Sequence, residues 1–251
     1  MIKKLLPIVL LSLTLLSCEK KIDSDNISKI TYYPTFEMTG DETYTIPLNG
    51  SFTEPGLVAI ENGTEISVTT SVVGTIQEYS GTTVNTALEN EYVISYSASN
   101  SDGFLGTTGR AVWVAKTGDL VTSIEGLYTS TIVRNGVVSA QYADLEFVII
   151  YKTGANTYKI SDAIGGYYDM GRAYGPDARF VAGNITAVDI PSNNFTYPAT
   201  FTNDWFGGGP ANMTGMTVNP GNKTINFTTT WVTPPPVATY NFVVTLTQVN
   251  I

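Results

Sequence analysis

The chain has 251 residues, a net charge of −9 and an isoelectric point near 4.4, and it lacks the basic stripe that binds a phosphate backbone, so nucleic-acid recognition is excluded. It contains no histidine and a single cysteine, which removes Ser/His/Asp and Cys/His catalysis, the commonest zinc ligand and any internal disulfide. Charged residues are sparse while Tyr, Thr, Val, Gly and Asn are abundant, a balance that favours pleated, half-buried surfaces over helices, so the chain is predicted to be all-β.

Residues 1–17 have the three-part layout of a signal peptide: Lys3 and Lys4, an apolar run from Leu5 to Leu16, then Ser17 before Cys18. A spanning helix needs about 20 apolar residues, and Glu19, Lys20 and Lys21 end the run well before that. Leu15-Leu16-Ser17-Cys18 resembles the bacterial lipobox, which implies cleavage before Cys18, acylation of that cysteine (palmitate among the chains) and attachment to a membrane through the lipid. Residues 18–29 are polar, with no apolar face to bury, and are expected to form a flexible tether.

Residues 30–116 alternate strand and turn signals. Strands are predicted over 30–36, 43–48, 65–73, 91–98 and 107–115, with turns at Pro55-Gly56 and Asn62-Gly63. Alternation is clearest where Tyr92, Ile94, Tyr96 and Ala98 share one face before the Ser101-Asp102-Gly103 turn. The segments Gly50-Ser-Phe-Thr-Glu-Pro-Gly56, Val58-Ala-Ile-Glu-Asn-Gly63, Tyr92-Val-Ile-Ser-Tyr-Ser-Ala98 and Asn100-Ser-Asp-Gly103 resemble the bacterial immunoglobulin-like repeat. Glu54 and Asn100 stand where the family pattern has aspartates. The resemblance implies an N-terminal immunoglobulin-like β-sandwich acting as a spacer, with no ligand of its own.

Residues 117–125 are small and polar and read as a linker, after which 126–251 reads as a second antiparallel β domain. Its strands are predicted near 127–134, 144–151, 157–161, 179–190, 213–218, 223–231 and 239–249. Both faces of Leu145 to Ile150 are apolar apart from Glu146, which marks a central strand and requires that acid to be paired or at an edge. Consecutive hairpins suggest a meander, either a closed barrel or a sandwich. Trp231 shares strand parity with Ile225 and Phe227 and is expected in the core, as is Trp113, which lies between valines of the first domain.

Few residues offer chemistry. Two carboxylates suffice for glycoside hydrolysis, and Asp144, Glu146, Asp169, Asp177 and Asp204 are available, but no motif fixes their separation, so no catalytic residue is assigned. No run of calcium-loop type occurs, and no metal or cofactor is expected. Two glycine-rich loops of the second domain, 165–176 and 201–210, combine aromatics with hydrogen-bonding groups. Aromatic faces stack on the apolar face of a pyranose while polar side chains bind its hydroxyls. Tyr167, Tyr168, Tyr174 and Trp205 are therefore candidate stacking residues, and Asp169, Arg172 and Asp204 candidate polar contacts. The competing reading folds these rings inward as plugs beneath the loops.

The whole layout, from lipobox and tether through the immunoglobulin-like module to a distal β domain, resembles accessory lipoproteins of Bacteroidota glycan-utilisation (starch-utilisation-system-like) loci. That resemblance implies a noncatalytic glycan-binding or scaffolding protein on the outer membrane beside a TonB-dependent transporter. A structural or adhesive protein that binds other proteins is the alternative, and display on the outer face or the periplasmic face stays open.

Overall fold

A computed structural model describes residues 30–251; the expected leader, Cys18 and the tether lie outside the described residues. The structure is nearly all β, with 48% of residues in strands. The first domain holds β1 (Thr35–Met38), β2 (Thr43–Pro47), β3 (Leu57–Glu61), β4 (Thr64–Ile66), β5 (Thr69–Gly74), β6 (Tyr79–Gly81), β7 (Asn90–Ser99) and β8 (Leu105–Ala115). A three-stranded sheet, β1-β3-β4, packs on a five-stranded sheet, β2-β8-β7-β5-β6, in which β2 alone runs parallel to its neighbour. Alternation fixes the sandwich core: Tyr92, Ile94 and Tyr96 of β7 meet Val72, Val112 and Val114.

Two first-domain expectations change. The strand predicted over 30–36 forms only at Thr35–Met38, because Pro34 has no amide hydrogen to give to a ladder. The stretch predicted as one strand over 65–73 is broken at Ser67-Val68, and its halves, β4 and β5, belong to different sheets. The positions where the family pattern has aspartates do structural work. Glu54 faces the Arg110 guanidinium at 3.1 Å, and Asn100 Oδ1 accepts from the amides of Asp102 and Phe104.

The second domain holds β9 (Gly126–Arg134), β10 (Leu145–Lys152), β11 (Thr157–Ile160), β12 (Ile185–Asp189), β13 (Asn194–Thr196), β14 (Ala211–Asn219), β15 (Thr224–Val232) and β16 (Thr239–Gln248). They form one antiparallel sheet in the order β13-β12-β11-β10-β9-β16-β15-β14. The sheet curls into a nearly closed barrel. Side chains bridge the seam: the Met216 amide donates to Tyr197 Oη at 2.8 Å and the Val218 amide to Asn193 Oδ1 at 2.7 Å. Two amides of edge strand β14 thus find acceptors across the seam without a continuous ladder. Inside lie Tyr128, Ile132, Val148, Ile150, Phe227 and Trp231, among others.

The segment 179–190 pairs as a strand only from Ile185. Its beginning is spent on other bonds: the Phe180 amide donates to Asp162, and Phe180 O accepts from the Ala163 amide. In the stretch 117–125, Leu120 and Ile124 are buried in the barrel core. Strand β10 is central, and Glu146 is exposed at a register shift opposite β9.

Trp113 is buried, but not in the sandwich core. Val112 and Val114 point into the sandwich, so Trp113 points out of it, and it joins Ala115, Leu127, Phe147, Ile149 and Tyr151 in a cluster shared by both domains. The two-faced apolarity of β10 follows from this: Val148 and Ile150 fill the barrel while Phe147, Ile149 and Tyr151 cover the first domain. Trp113 meets Phe147 edge to face at 5.7 Å.

Candidate functional site

Both glycine-rich loops lie at one mouth of the barrel, each held by a buried polar side chain. Asp162, at the end of β11, accepts from the amides of Ile164, Gly166 and Phe180 at 3.0, 3.0 and 3.1 Å. This staples both ends of the first loop to one carboxylate. Burial raises that carboxyl to about 7 against the opposing effect of its amide donors. Asn203 serves the second loop: its Nδ2 donates to Arg179 O at 2.6 Å, and its Oδ1 accepts from the Phe206 amide, capping the turn that presents Trp205. Gly209 has a φ of +90°, and a Cβ there would lie 2.3 Å from Val232 O, so only glycine lets this loop lie against β15.

These supports divide the candidate residues into four groups. Tyr167 and Tyr168 turn inward. Tyr167 stacks on Tyr142 with ring centroids 4.0 Å apart, and Tyr168 packs on Phe206 at 4.5 Å and on Phe180 and Trp231 behind it. Tyr174 and Trp205 face solvent, 48% and 52% exposed, with ring centroids 5.5 Å apart. Phe206 braces Trp205 edge-on at 4.9 Å, and Tyr168 lies nearly parallel to Tyr174 at 6.1 Å, so the exposed pair rests on one partly buried and one buried ring. An open groove of about 340 Å³ beside Trp205 is lined by Asp177, Thr202 and Asp204.

Asp169 stands apart from this surface. Its carboxylate is buried 2.5 Å from Arg179 Nε, while Arg179 Nη2 lies 2.5 Å from Glu91 of the first domain. Thr75 completes the group: its hydroxyl bonds to Glu91 and accepts from Arg179 Nη1.

Arg172 belongs to a separate cavity of about 360 Å³, lined also by Arg134, Asn135, Ser139, Tyr142 and Tyr167. The Arg134 guanidinium lies 4.9 Å from the ring centres of both Tyr167 and Tyr240, and that of Arg172 lies 5.7 Å from Tyr167 and 5.8 Å from Tyr142. Burial raises the proton affinity of the Tyr167 hydroxyl, but the Tyr142 hydroxyl and the charges of Arg172 and Arg134 outweigh it, so the group sits below its ordinary value.

Of the residues that build this region, Arg134, Tyr142, Asp162, Arg179 and Asn203 are not evident as such in the sequence. Asp162 carries the best signal, an aspartate between a strand and Gly165-Gly166 where a side-chain-capped turn is favoured. Among the described residues, no three His, Cys, Asp or Glu side chains group as metal ligands.

Residues 117–248, more than half of the chain, match the profile of the BT2262-like C-terminal domain. The chain belongs to the BT2262-like family. Residues 36–114 match the Ig-like domain of bacterial surface proteins, in line with a surface lipoprotein-like family of Bacteroides. The crystal structure of the lipoprotein BT2262 from Bacteroides thetaiotaomicron is similar at 27% identity with a TM-score of 0.60, over 86% of this chain and all of that one. No curated protein matches this member of the BT2262-like family.

Proposed function

We propose that this BT2262-like protein is a noncatalytic glycan-binding lipoprotein, anchored through Cys18 to the outer membrane and serving a polysaccharide-uptake complex with a TonB-dependent transporter. One observation carries the reading: Tyr174 and Trp205 are large apolar rings left in solvent side by side, Tyr174 backed by the buried Tyr168 ring and Trp205 by the partly buried Phe206 ring. A rigid exposed pair of this kind suits stacking on sugar rings, since little side-chain freedom is lost on binding. Thr202, Asp177 and Asp204 supply hydroxyl partners along the adjoining groove. Asp177 and Asp204 are also the two carboxylates that line this groove. Both are exposed, however, whereas a glycosidase acid works from apolar, water-excluded surroundings.

Isothermal titration against a polysaccharide panel tests the reading. Binding of at least one glycan is expected, weakened about tenfold or more in Trp205→Ala because each stacked ring contributes on the order of 1 kcal/mol or more beyond its area. Reducing ends should not accumulate. Silence across the panel together with capture of a stable protein partner would favour the adhesive alternative.

A further inference from the structure

The chain has four arginines, and the structure puts them to two different uses. Arg110 and Arg179 lie within 4 Å of buried or half-buried carboxylates. Arg134 and Arg172 have no carboxylate within that distance among the described residues, and both line the same cavity of about 360 Å³. In a chain of net charge −9, two unneutralised guanidinium groups on one concavity form a local positive site on an acidic molecule.

Their setting is that of a prepared receptor. Arg134 has the rings of Tyr167 and Tyr240 at 4.9 Å, and Arg172 has those of Tyr142 and Tyr167 beneath 6 Å. Ring contact restrains a long side chain and offers no hydrogen-bond acceptor in its π face that competes with a carboxylate, so most guanidinium N–H donors stay available. The bonds they do make are long: Arg134 Nη1 to Tyr168 Oη is 3.4 Å and Arg172 Nη2 to Tyr167 Oη is 3.5 Å. Asn135 and Ser139 on the rim add neutral groups suited to hydroxyls. The volume falls at the lower end of the range for small-molecule sites, about 300–1,000 Å³. Tyr168 joins this cavity to the exposed pair, since its ring lies 5.0 Å from Tyr167 and 6.1 Å from Tyr174.

We propose that this cavity is an anion subsite that binds the carboxylate or sulfate group of an acidic sugar residue through Arg134 and Arg172. The inference rests on the glycan reading for its ligand class but concerns different residues from the Trp205 surface. It deepens that reading to acidic polysaccharides.

Titrations of the protein with polygalacturonate and its methyl ester, and with dextran sulfate and dextran, separate charge from backbone. At least one charged polymer should bind about tenfold more tightly than its neutral counterpart, and added salt should narrow the difference. A preference within the first pair assigns carboxylate, and within the second sulfate. Arg172 is exposed, so Arg172→Gln should fold as the parent does. It should lose about tenfold on the charged polymer, the size expected for one charge-assisted contact, and nothing on the neutral one, while Arg172→Lys keeps part of the affinity. Equal binding of charged and neutral polymers, or an Arg172→Gln variant that binds the charged polymer as tightly as the parent, overturns the subsite. If Trp205→Ala still weakens binding in that case, the glycan reading stands without it. Silence of all four polymers overturns the subsite, and the glycan reading is then decided by the wider panel.

Discussion

Arg179 shows how much of the molecule depends on one side chain. Its side chain is 5% exposed, and it holds Asp169 of the barrel and Glu91 of the sandwich at 2.5 Å each. Removing one member of a buried ion group leaves the others charged in a medium that solvates them poorly. Arg179→Ala should therefore cost about 3–5 kcal/mol in urea unfolding, and adding Glu91→Gln and Asp169→Asn should recover much of it. Loss below 1 kcal/mol in the single variant would contradict the assignment. Glu89 gives a test in pH. Burial, reinforced by nearby Glu125, raises its carboxyl from 4.5 to about 7 against the Lys116 amide that donates to it. The folded chain then holds this proton more tightly than the unfolded chain, so its contribution is fully present below about pH 4 and declines as pH rises through about 7. Melting temperatures between pH 4 and 8 should fall with a shallower slope in Glu89→Gln than in the parent.

The loops that carry the candidate site are scaffolded by single polar groups, so their order should fail locally. Asn203 is buried and ties the Trp205 turn to the carbonyls of Arg179 and Asp177. Asn203→Ala should cost about 1–3 kcal/mol through the unpaired buried carbonyl and amide groups, and it should diminish the fluorescence change that accompanies ligand binding at Trp205. An unchanged melting temperature and unchanged binding would show that the turn holds without it. The same contrast explains what the sequence revealed. Strands β7 and β16 were legible because burial on one face imposes a period of two, as in Tyr92-Ile94-Tyr96 and Phe242-Val244-Leu246. The loops carry no period, and the inward turn of Tyr167 and Tyr168 depends on Tyr142, Phe206 and Trp231, which are distant in sequence. Asp169 and Arg172 looked equivalent in the chain. Only the fold brings Arg179 against the first and leaves the second on a cavity.

At the scale of the whole molecule, the two domains do not behave as beads on a string. The outer face of β9 and β10 presents Leu127, Phe147, Ile149 and Tyr151 to Trp113 and Ala115, and this apolar cluster adjoins strands that also line each domain's own core. Inter-domain surfaces in ordinary chains are more polar and permit relative motion, whereas a buried apolar contact closed by an ion group couples the folding of both sides. Separating the domains would expose the tryptophan and four large barrel residues and would strip Arg179 of Glu91, so neither unit opens without a penalty from the other. Calorimetry of the parent should accordingly show one transition in which the van't Hoff and calorimetric enthalpies agree. Trp113→Ala empties the centre of the shared cluster at a cost of about 3–5 kcal/mol, paid by the interface because Trp113 faces away from the sandwich core. In that variant the transition should split in two, the first domain melting earlier and the barrel near its original temperature. A parent that already melts in two steps, or a variant that still melts in one, would show that each domain is stabilised by its own core alone.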